Sequence, residues 1–284
     1  MQYRTIGDFT VSAIGLGAMP MSIEGRPDQA RSISTIHAAL DAGVRLIDTA
    51  CSYHLLAGEV GHNERLIATA LKSWSGPVDE VLVATKGGHL RPGDGTWTQN
   101  GDPAYLKQAA RQSARDLGVE SIGLYYFHRP DPNVPFEDSI GALVDLLADG
   151  VIQRAGVSNV TVEQLHVANS ILDGRLVAVQ NEFSPRHRVT EDTLLECESL
   201  GIAFLPWSPL GGITNAKSLG ETATTFEQIG QAHGVSPQQV CLAWELAKGK
   251  HVIPIPGASR PETILDSIKA QDLVLSEDEL AVLG

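Results

Sequence analysis

The sequence predicts an α/β fold: a single (β/α)8 barrel of the TIM type over residues 1–284, with an N-terminal β-hairpin and two extra helices. Three observations lead there. Short strand-like runs alternate with amphipathic helical patterns eight times over roughly 250 residues, the element count of that barrel. No Pro/Gly/Ser-rich linker, composition shift or solenoid-period repeat divides the chain. The strand-like runs also end, one after another, in polar or titratable residues, as they do where a barrel carries its chemistry on the C-terminal rim.

Residues 2–14 alternate loosely around Gly7-Asp8 and read as a hairpin ahead of the barrel. Barrel strands are expected at 13–16, 46–48, 81–86, 122–128, 153–158, 177–180, 203–207 and 252–255. The helices that follow them are expected at 28–42, 64–72, 104–117, 136–147, 162–172, 191–200, 238–247 and 261–269. Their starts carry chemistry as well as period. Thr161-x-x-Gln164, Ser236-Pro237-x-Gln239 and Ser276-x-x-Glu279 are capping-box patterns, and Asp102-Pro103 joins an N-cap to a proline at the first helical position. The extra helices fall within 208–233 and from Ser276 onward. Connections 87–102 and 208–225 both follow strand C-termini, and their length marks them as functional loops.

With 284 residues, 43% hydrophobic and 19% charged, the chain has enough apolar surface for a large core. The 34 acidic and 21 basic residues give a formal charge of −13, which argues against nucleic acid or an anionic membrane as a partner. A phosphorylated ligand would need a local basic pocket. Cys51, Cys197 and Cys241 lie far apart without a Cys-x-x-Cys pair, so neither a disulfide framework nor a metal site is expected. There is no basic-then-apolar N-terminal segment and no apolar run of about 18 residues, so a cytoplasmic location with no membrane span is expected.

Asp48, Lys86, His128, Ser158-Asn159, Gln180 and Trp207 end the second to seventh strands. Asp48 closes a core strand, where an unpaired charge is costly, and Lys86 at the next strand end is the candidate cation. Taken singly, each has a plain structural reading: a helix cap for the aspartate, a satisfied surface or core residue for the histidine, a solvated charge for the lysine, backbone sealing for the glutamine, core packing for the tryptophan. In a closed barrel, however, neighbouring strand ends converge on one pocket. A tyrosine hydroxyl titrates near 10; an adjacent ammonium stabilises the phenolate and lowers that value, and a carboxylate anchors the ammonium. Tyr53, Lys86 and Asp48 have those roles available, and His128 is suited to orient a carbonyl oxygen or relay the proton. Such a set moves protons and not electrons, so a cofactor must carry hydride.

Ser158, Asn159 and Gln180 suit a nicotinamide carboxamide, and Trp207 offers a face for ring stacking. Phosphate contacts are expected from Ser208, Pro209, Leu210, Gly212 and Lys217 in the next loop. Gly257, Ser259 and Arg260, which open the last barrel helix, are expected to add others. Gly15-Leu16-Gly17-Ala18-Met19-Pro20 begins like a dinucleotide fingerprint. Pro20 replaces its third glycine and no acidic strand end follows at the required distance, which rejects a Rossmann fold.

These residues resemble the aldo-keto reductases. The resemblance covers essentially the whole chain, from Gly15-Leu16-Gly17 to the Arg260 loop. Asp48-Thr49-Ala50-x-x-Tyr53, the Lys86 strand end, Phe127-His128-Arg129-Pro130, Gly156-Val157-Ser158-Asn159, Val179-Gln180-Asn181 and Pro206-Trp207-Ser208-Pro209-Leu210 carry it in family order. It implies a metal-free barrel, a monomer by family habit, that interconverts carbonyls and alcohols with NADPH or, less often, NADH. It further implies Tyr53 as general acid/base, Lys86 and Asp48 as its tuning pair, and His128 as the carbonyl-orienting group. Ser259 and Arg260 look like contacts to an adenosine 2′-phosphate, which favours NADPH. Glu64 in Gly61-His62-Asn63-Glu64 resembles a structural helix-start motif. His54 stands where many members have glycine, Ser267 where an asparagine near the adenine is common, and Cys51 has no assigned role.

The substrate pocket is expected from Met19, His54, His89, Trp97 and Arg129, with Arg129 paired to Asp131 or Asp138 in preference to a substrate acid. Small aldehydes, α-dicarbonyls, pyridoxal and a secondary-metabolite ketone all fit. Two alternatives to a small-molecule carbonyl reductase are a nicotinamide-cofactor-sensing regulatory subunit with little turnover and a barrel enzyme for a phosphorylated substrate without nicotinamide.

Overall fold

The computed structural model describes residues 1–212 and 224–284. The expected hairpin forms from β1 (Tyr3–Ile6) and β2 (Phe9–Ser12), turning at Gly7 with φ +59°. Ile6 and Val11 join the apolar cluster inside the barrel beside the first residues of its strands, Leu46, Leu82 and Leu124. The hairpin therefore plugs the N-terminal end and leaves the C-terminal rim for chemistry.

Seven barrel strands follow: β3 (Leu16–Gly17), β4 (Leu46–Asp48), β5 (Leu82–Gly87), β8 (Leu124–Phe127), β9 (Ala155–Ser158), β10 (Leu176–Gln180) and β11 (Ala203–Phe204). They pair parallel in the order β11-β10-β9-β8-β5-β4-β3. The expected eighth strand, 252–255, is not a regular strand, because Pro254 and Pro256 have no amide to give a ladder. It still closes the barrel. The amides of Ile253 and Ile255 donate to the carbonyls of Phe204 (2.9 Å) and Pro206 (3.3 Å) on one side. On the other, Pro254 and Pro256 accept from the amides of Gly15 (2.9 Å) and Gly17 (3.0 Å). The prolines thus face β3 with carbonyls only, so this side of the ladder is made by the β3 amides alone. Gly17 permits this approach, since a Cβ there would lie 2.7 Å from the Ile255 carbonyl oxygen.

The helices agree with their expected spans to within one or two residues: α1 (Gln29–Asp41), α2 (His62–Ser73), α3 (Pro103–Leu117), α4 (Phe136–Ala148), α5 (Val162–Ile171), α6 (Glu191–Leu200), α8 (Pro237–Ala247) and α9 (Pro261–Ile268). The extra helices are α7 (Thr224–His233) and α10 (Glu277–Leu283). The caps explain the agreement. Asp102 accepts from the Tyr105 amide at 2.8 Å, and the Thr161/Gln164 and Ser276/Glu279 boxes are both closed. Loop 87–102 holds a small antiparallel ladder of β6 (His89–Leu90) and β7 (Thr98–Gln99).

The parity of each strand decides what enters the barrel, since alternate residues face opposite sides. Leu46, Leu82, Ala84, Leu124, Tyr126, Ala178, Ala203 and Leu205 pack inside. Tyr125, Phe127, Ala155, Val157, Val179 and Phe204 pack outward against helices. The small interior residues leave room for Tyr126: a Cβ on Gly156 would lie 2.4 Å from its ring. Cys51, Cys197 and Cys241 are all buried free thiols, and no helix among the described residues is long and apolar enough to cross a membrane.

Candidate active site

The same parity carries Asp48, Lys86, His128, Ser158, Gln180 and Trp207 inward at the strand ends, each an even number of residues past an interior or small position. Lys86, fully buried, sits at the centre. Its Nζ donates to Asp48 Oδ1 at 2.5 Å, to the Thr49 carbonyl at 2.8 Å and to Tyr53 Oη at 3.0 Å. All three ammonium protons have an acceptor, the condition under which a buried charge is tolerated. The other Asp48 oxygen accepts from Gln180 Nε2 at 2.8 Å. The rings of His128 and Tyr53 stand edge to face, 6.0 Å between centroids.

Burial alone would lower Lys86, but the Asp48 carboxylate and Tyr53 outweigh it and hold the ammonium above its ordinary value. Burial raises Tyr53 above 10, and Lys86 opposes that without reversing it. The expectation of a lowered phenol is therefore corrected: burial is the largest effect, Lys86 works against it, and the Asp48 charge adds to the rise. Burial, then Lys86, His89 and Arg129, keep His128 far below the usual histidine value. A neutral imidazole still has one N–H to donate.

The start of α2 braces this centre, a role the sequence reading gave only to Glu64. Asn63 is fully buried. Its Oδ1 accepts from Thr49 Oγ1 at 2.6 Å, and its Nδ2 donates to the Ala18 carbonyl at 2.9 Å and to Ser22 Oγ at 2.7 Å. Glu64 Oε1 accepts from Thr85 Oγ1 at 2.6 Å. The neighbours in sequence of Asp48 and Lys86 are thus both held by α2. Asn181 was likewise missed; it ties β10 to the end of β9 through the Val160 amide (3.0 Å) and carbonyl (2.8 Å). The signal available was a pair of polar residues on the buried face of an amphipathic helix start.

On the substrate side the expected residues divide. His89 stacks on Trp97 (4.8 Å between centroids, 27° between planes) and stands edge-on to His128 (4.9 Å). Burial, with Arg129 and Lys86, lowers His89 to about 4, so it too is neutral. Met19 is half-buried in the 3-10 turn Met19–Met21 after β3. His54 is buried: its ring bonds the Leu56 carbonyl through Nδ1 at 2.8 Å, and its own carbonyl accepts from Arg91. It belongs to the wall of loop 54–62. Arg91, not foreseen, also pairs with Glu24 and lies 5.0 Å from the centroid of the Trp97 ring. Arg129 pairs with neither Asp131 nor Asp138. Its Nη2 donates to Asn159 Oδ1 at 3.1 Å, while Asp131 is occupied by the Gly101 and Asn133 amides.

On the cofactor side, Asn159 has the left-handed φ of 60°, which turns its amide back to donate to the His128 carbonyl (2.9 Å) and Ser158 Oγ (2.9 Å). Ser158 Oγ donates to the Gln180 carbonyl at 2.6 Å. Ser208 (φ 52°), Gly211 (φ 78°) and Gly212 (φ 89°) form a tight loop after Trp207, and Ser208 accepts from the Gly211 amide. Leu210 is buried in the core, and Pro209 is buried with its carbonyl accepting from Cys241 Sγ. Lys217 lies outside the described residues. Gly257 and Arg260 are exposed and Ser259 half-buried at the start of α9, while Ser267 is buried and bonds back to Thr263. Trp207 Nε1 and His128 Nδ1 are buried without a partner among the described residues. A polar ring with a carboxamide is a fitting ligand for such a rim.

A model of the family described as Aldo/keto reductase family matches residues 13–283. An uncharacterized oxidoreductase of Schizosaccharomyces pombe is 33% identical over 282 residues, 98% of this chain and 87% of that protein. Pyridoxine 4-dehydrogenase of Escherichia coli K12 is 32% identical over 291 residues, 98% and 96% of the two chains. A crystal structure of an aldo-keto reductase from Klebsiella pneumoniae in complex with NADPH superposes with a TM-score of 0.81 at 25% identity, over 100% of this chain and 94% of that one.

Proposed function

The chain belongs to the aldo/keto reductase family, and from that premise we propose that it reduces an aldehyde or ketone to the alcohol with NADPH, using Tyr53 as proton donor. The observation that carries the proposal is the buried Lys86 ammonium bound at once to the Asp48 carboxylate and the Tyr53 hydroxyl. When bound, the nicotinamide supplies a hydride to the carbonyl carbon.

The residues of the chain do the rest. As the carbon gains hydride, the π electrons of the C=O bond move to oxygen, which takes the proton from Tyr53 Oη. Carbonyl, hydride and proton together make the alcohol. The phenolate left on Tyr53 faces Lys86, which is held by Asp48 and the Thr49 carbonyl, and solvent later returns the proton. His128, neutral and on the same wall, donates a hydrogen bond to the carbonyl oxygen and keeps it pointed at Tyr53. Ser158, Asn159 and Gln180 would hold the carboxamide, with Trp207 stacked on the ring. Ser259 and Arg260 at the start of α9 support a preference for NADPH over NADH. The reading takes residues 1–284 as one catalytic domain acting as a cytoplasmic monomer, which size-exclusion chromatography and cell fractionation check.

A panel of aldehydes and ketones, run in parallel with NADPH and NADH, tests the proposal. Consumption of NADPH with formation of the matching alcohol is expected. Tight NADPH binding with no oxidation across the panel would replace the enzyme by a cofactor-sensing subunit.

A further inference from the structure

Arg129 follows His128 just past the end of β8 and is half-buried. Among the described residues it makes one hydrogen bond, to Asn159 Oδ1, and no ion pair. Its Nε is buried and has no partner. Glu182 acts on it only at longer range and does not offset the burial, which holds the guanidinium below its ordinary value. A cation removed from water asks for an anion, and a guanidinium fork is shaped for an oxyanion. The chain carries 34 acidic residues, and Asp131 follows two positions later with its oxygens given to backbone amides of loops 101 and 133. Among the described residues none of them pairs with Arg129.

The cation is also near the reaction. Its charge is felt at both His128 and His89, and Asn159 links it by hydrogen bonds to the His128 carbonyl. Beside it stands a neutral aromatic wall: His89 stacked on Trp97, with Trp97 37% exposed although paired face to face. That exposed indole surface is a place for a planar ring to pack.

We propose that Arg129 anchors the substrate, a carbonyl compound that carries a carboxylate or phosphate oxyanion on an aromatic ring, with the ring against the His89–Trp97 pair. This rests on the reductase reading above and narrows its substrate class. Arg129 acts here by direct contact with substrate. The rival role, holding Asn159 for the cofactor, makes a different prediction.

The test compares three aldehydes of similar shape: 4-carboxybenzaldehyde, 4-formylphenyl phosphate and the neutral methyl 4-formylbenzoate. The expected result is a kcat/KM at least about tenfold higher for one of the anions than for the ester, carried by KM. In Arg129→Gln that ratio falls toward one, and Arg129→Lys recovers part of it. The two anions distinguish a carboxylate from a phosphate site. Equal kcat/KM for all three in the wild type, or a preference that survives in Arg129→Gln, overturns the anchor. So does an Arg129→Gln loss that is the same for all three and appears as a raised KM for NADPH, the signature of a role through Asn159. Calorimetric binding of benzoate and benzamide tests the anchor without turnover. Benzoate binding that weakens about tenfold in Arg129→Gln while benzamide is unaffected supports it even if no aldehyde is reduced, in which case the reductase reading alone falls. Equal affinities in both proteins overturn it.

Discussion

The Lys86 ammonium lies 3.0 Å from the Tyr53 hydroxyl and 2.5 Å from the Asp48 carboxylate. One buried cation thus joins the expected proton donor to the group that keeps that cation charged. Asp48 does not touch Tyr53 directly, so its effect on the phenol passes through Lys86 and the field between them.

Removing the cation leaves Asp48 buried and unpaired. Lys86→Met is expected to destabilise the fold by about 3–5 kcal/mol and to abolish measurable turnover. Asp48→Asn keeps an acceptor for Lys86 and is expected to cost less stability while still lowering turnover. Urea midpoints and steady-state rates check both; a Lys86→Met protein as stable as wild type would contradict the buried ion pair.

The pH dependence of the two reaction directions follows from the raised phenol. Reduction needs Tyr53 protonated, and because burial lifts its pKa above 10, the protonated form persists through the neutral range. Reduction is therefore expected to be flat from about pH 6 to about pH 9, while alcohol oxidation, which needs the phenolate, rises across that range. Profiles of kcat/KM in each direction check this. A reduction limb that falls well below pH 9 would show that Lys86 dominates over burial after all.

Glu64 gives a stability effect separate from catalysis. It is buried against Thr85, its Oε2 has no hydrogen-bond partner among the described residues, and burial raises its carboxyl from 4.5 to about 7. A carboxyl raised in the folded state stays protonated there after the unfolded chain has ionised. Its contribution is full below pH 4.5 and is lost as pH rises to about 7. Glu64→Gln removes this dependence, so its stability relative to wild type should increase across that window, by at most roughly 3 kcal/mol. A stability difference between the two proteins that is the same at both ends of the window would contradict the raised carboxyl.

Much of the fold and most of the candidate site's geometry were legible because two periodicities agreed. Alternation along β4, β5, β8 and β10 sends Asp48, Lys86, His128 and Gln180 to the inner face, and the caps at Asp102, Thr161 and Ser276 mark helix starts locally. What failed depended on distance or on backbone turns. The Arg91 links to His54 and Glu24 join residues 37 and 67 positions apart, so the burial of His54 in a loop wall left no local trace. The partner of Arg129 is set by the left-handed turn at Asn159. The eighth strand reads as apolar and extended, yet its prolines allow closure only through carbonyls on the β3 side. The direction of the Tyr53 shift depends on total burial against one neighbouring charge, a balance that spacing along the chain does not contain.

Tyr53→Phe tests the central claim most directly. The substitution removes one oxygen from a buried ring and leaves Lys86 its bonds to Asp48 and Thr49. With NADPH affinity followed by tryptophan fluorescence and turnover measured on the best carbonyl of the panel, affinity is expected to stay within a few-fold. Turnover should fall by about 10²- to 10⁴-fold, the usual worth of a positioned general acid. Turnover within a few-fold of wild type, with NADPH still bound, would contradict Tyr53 as the proton donor.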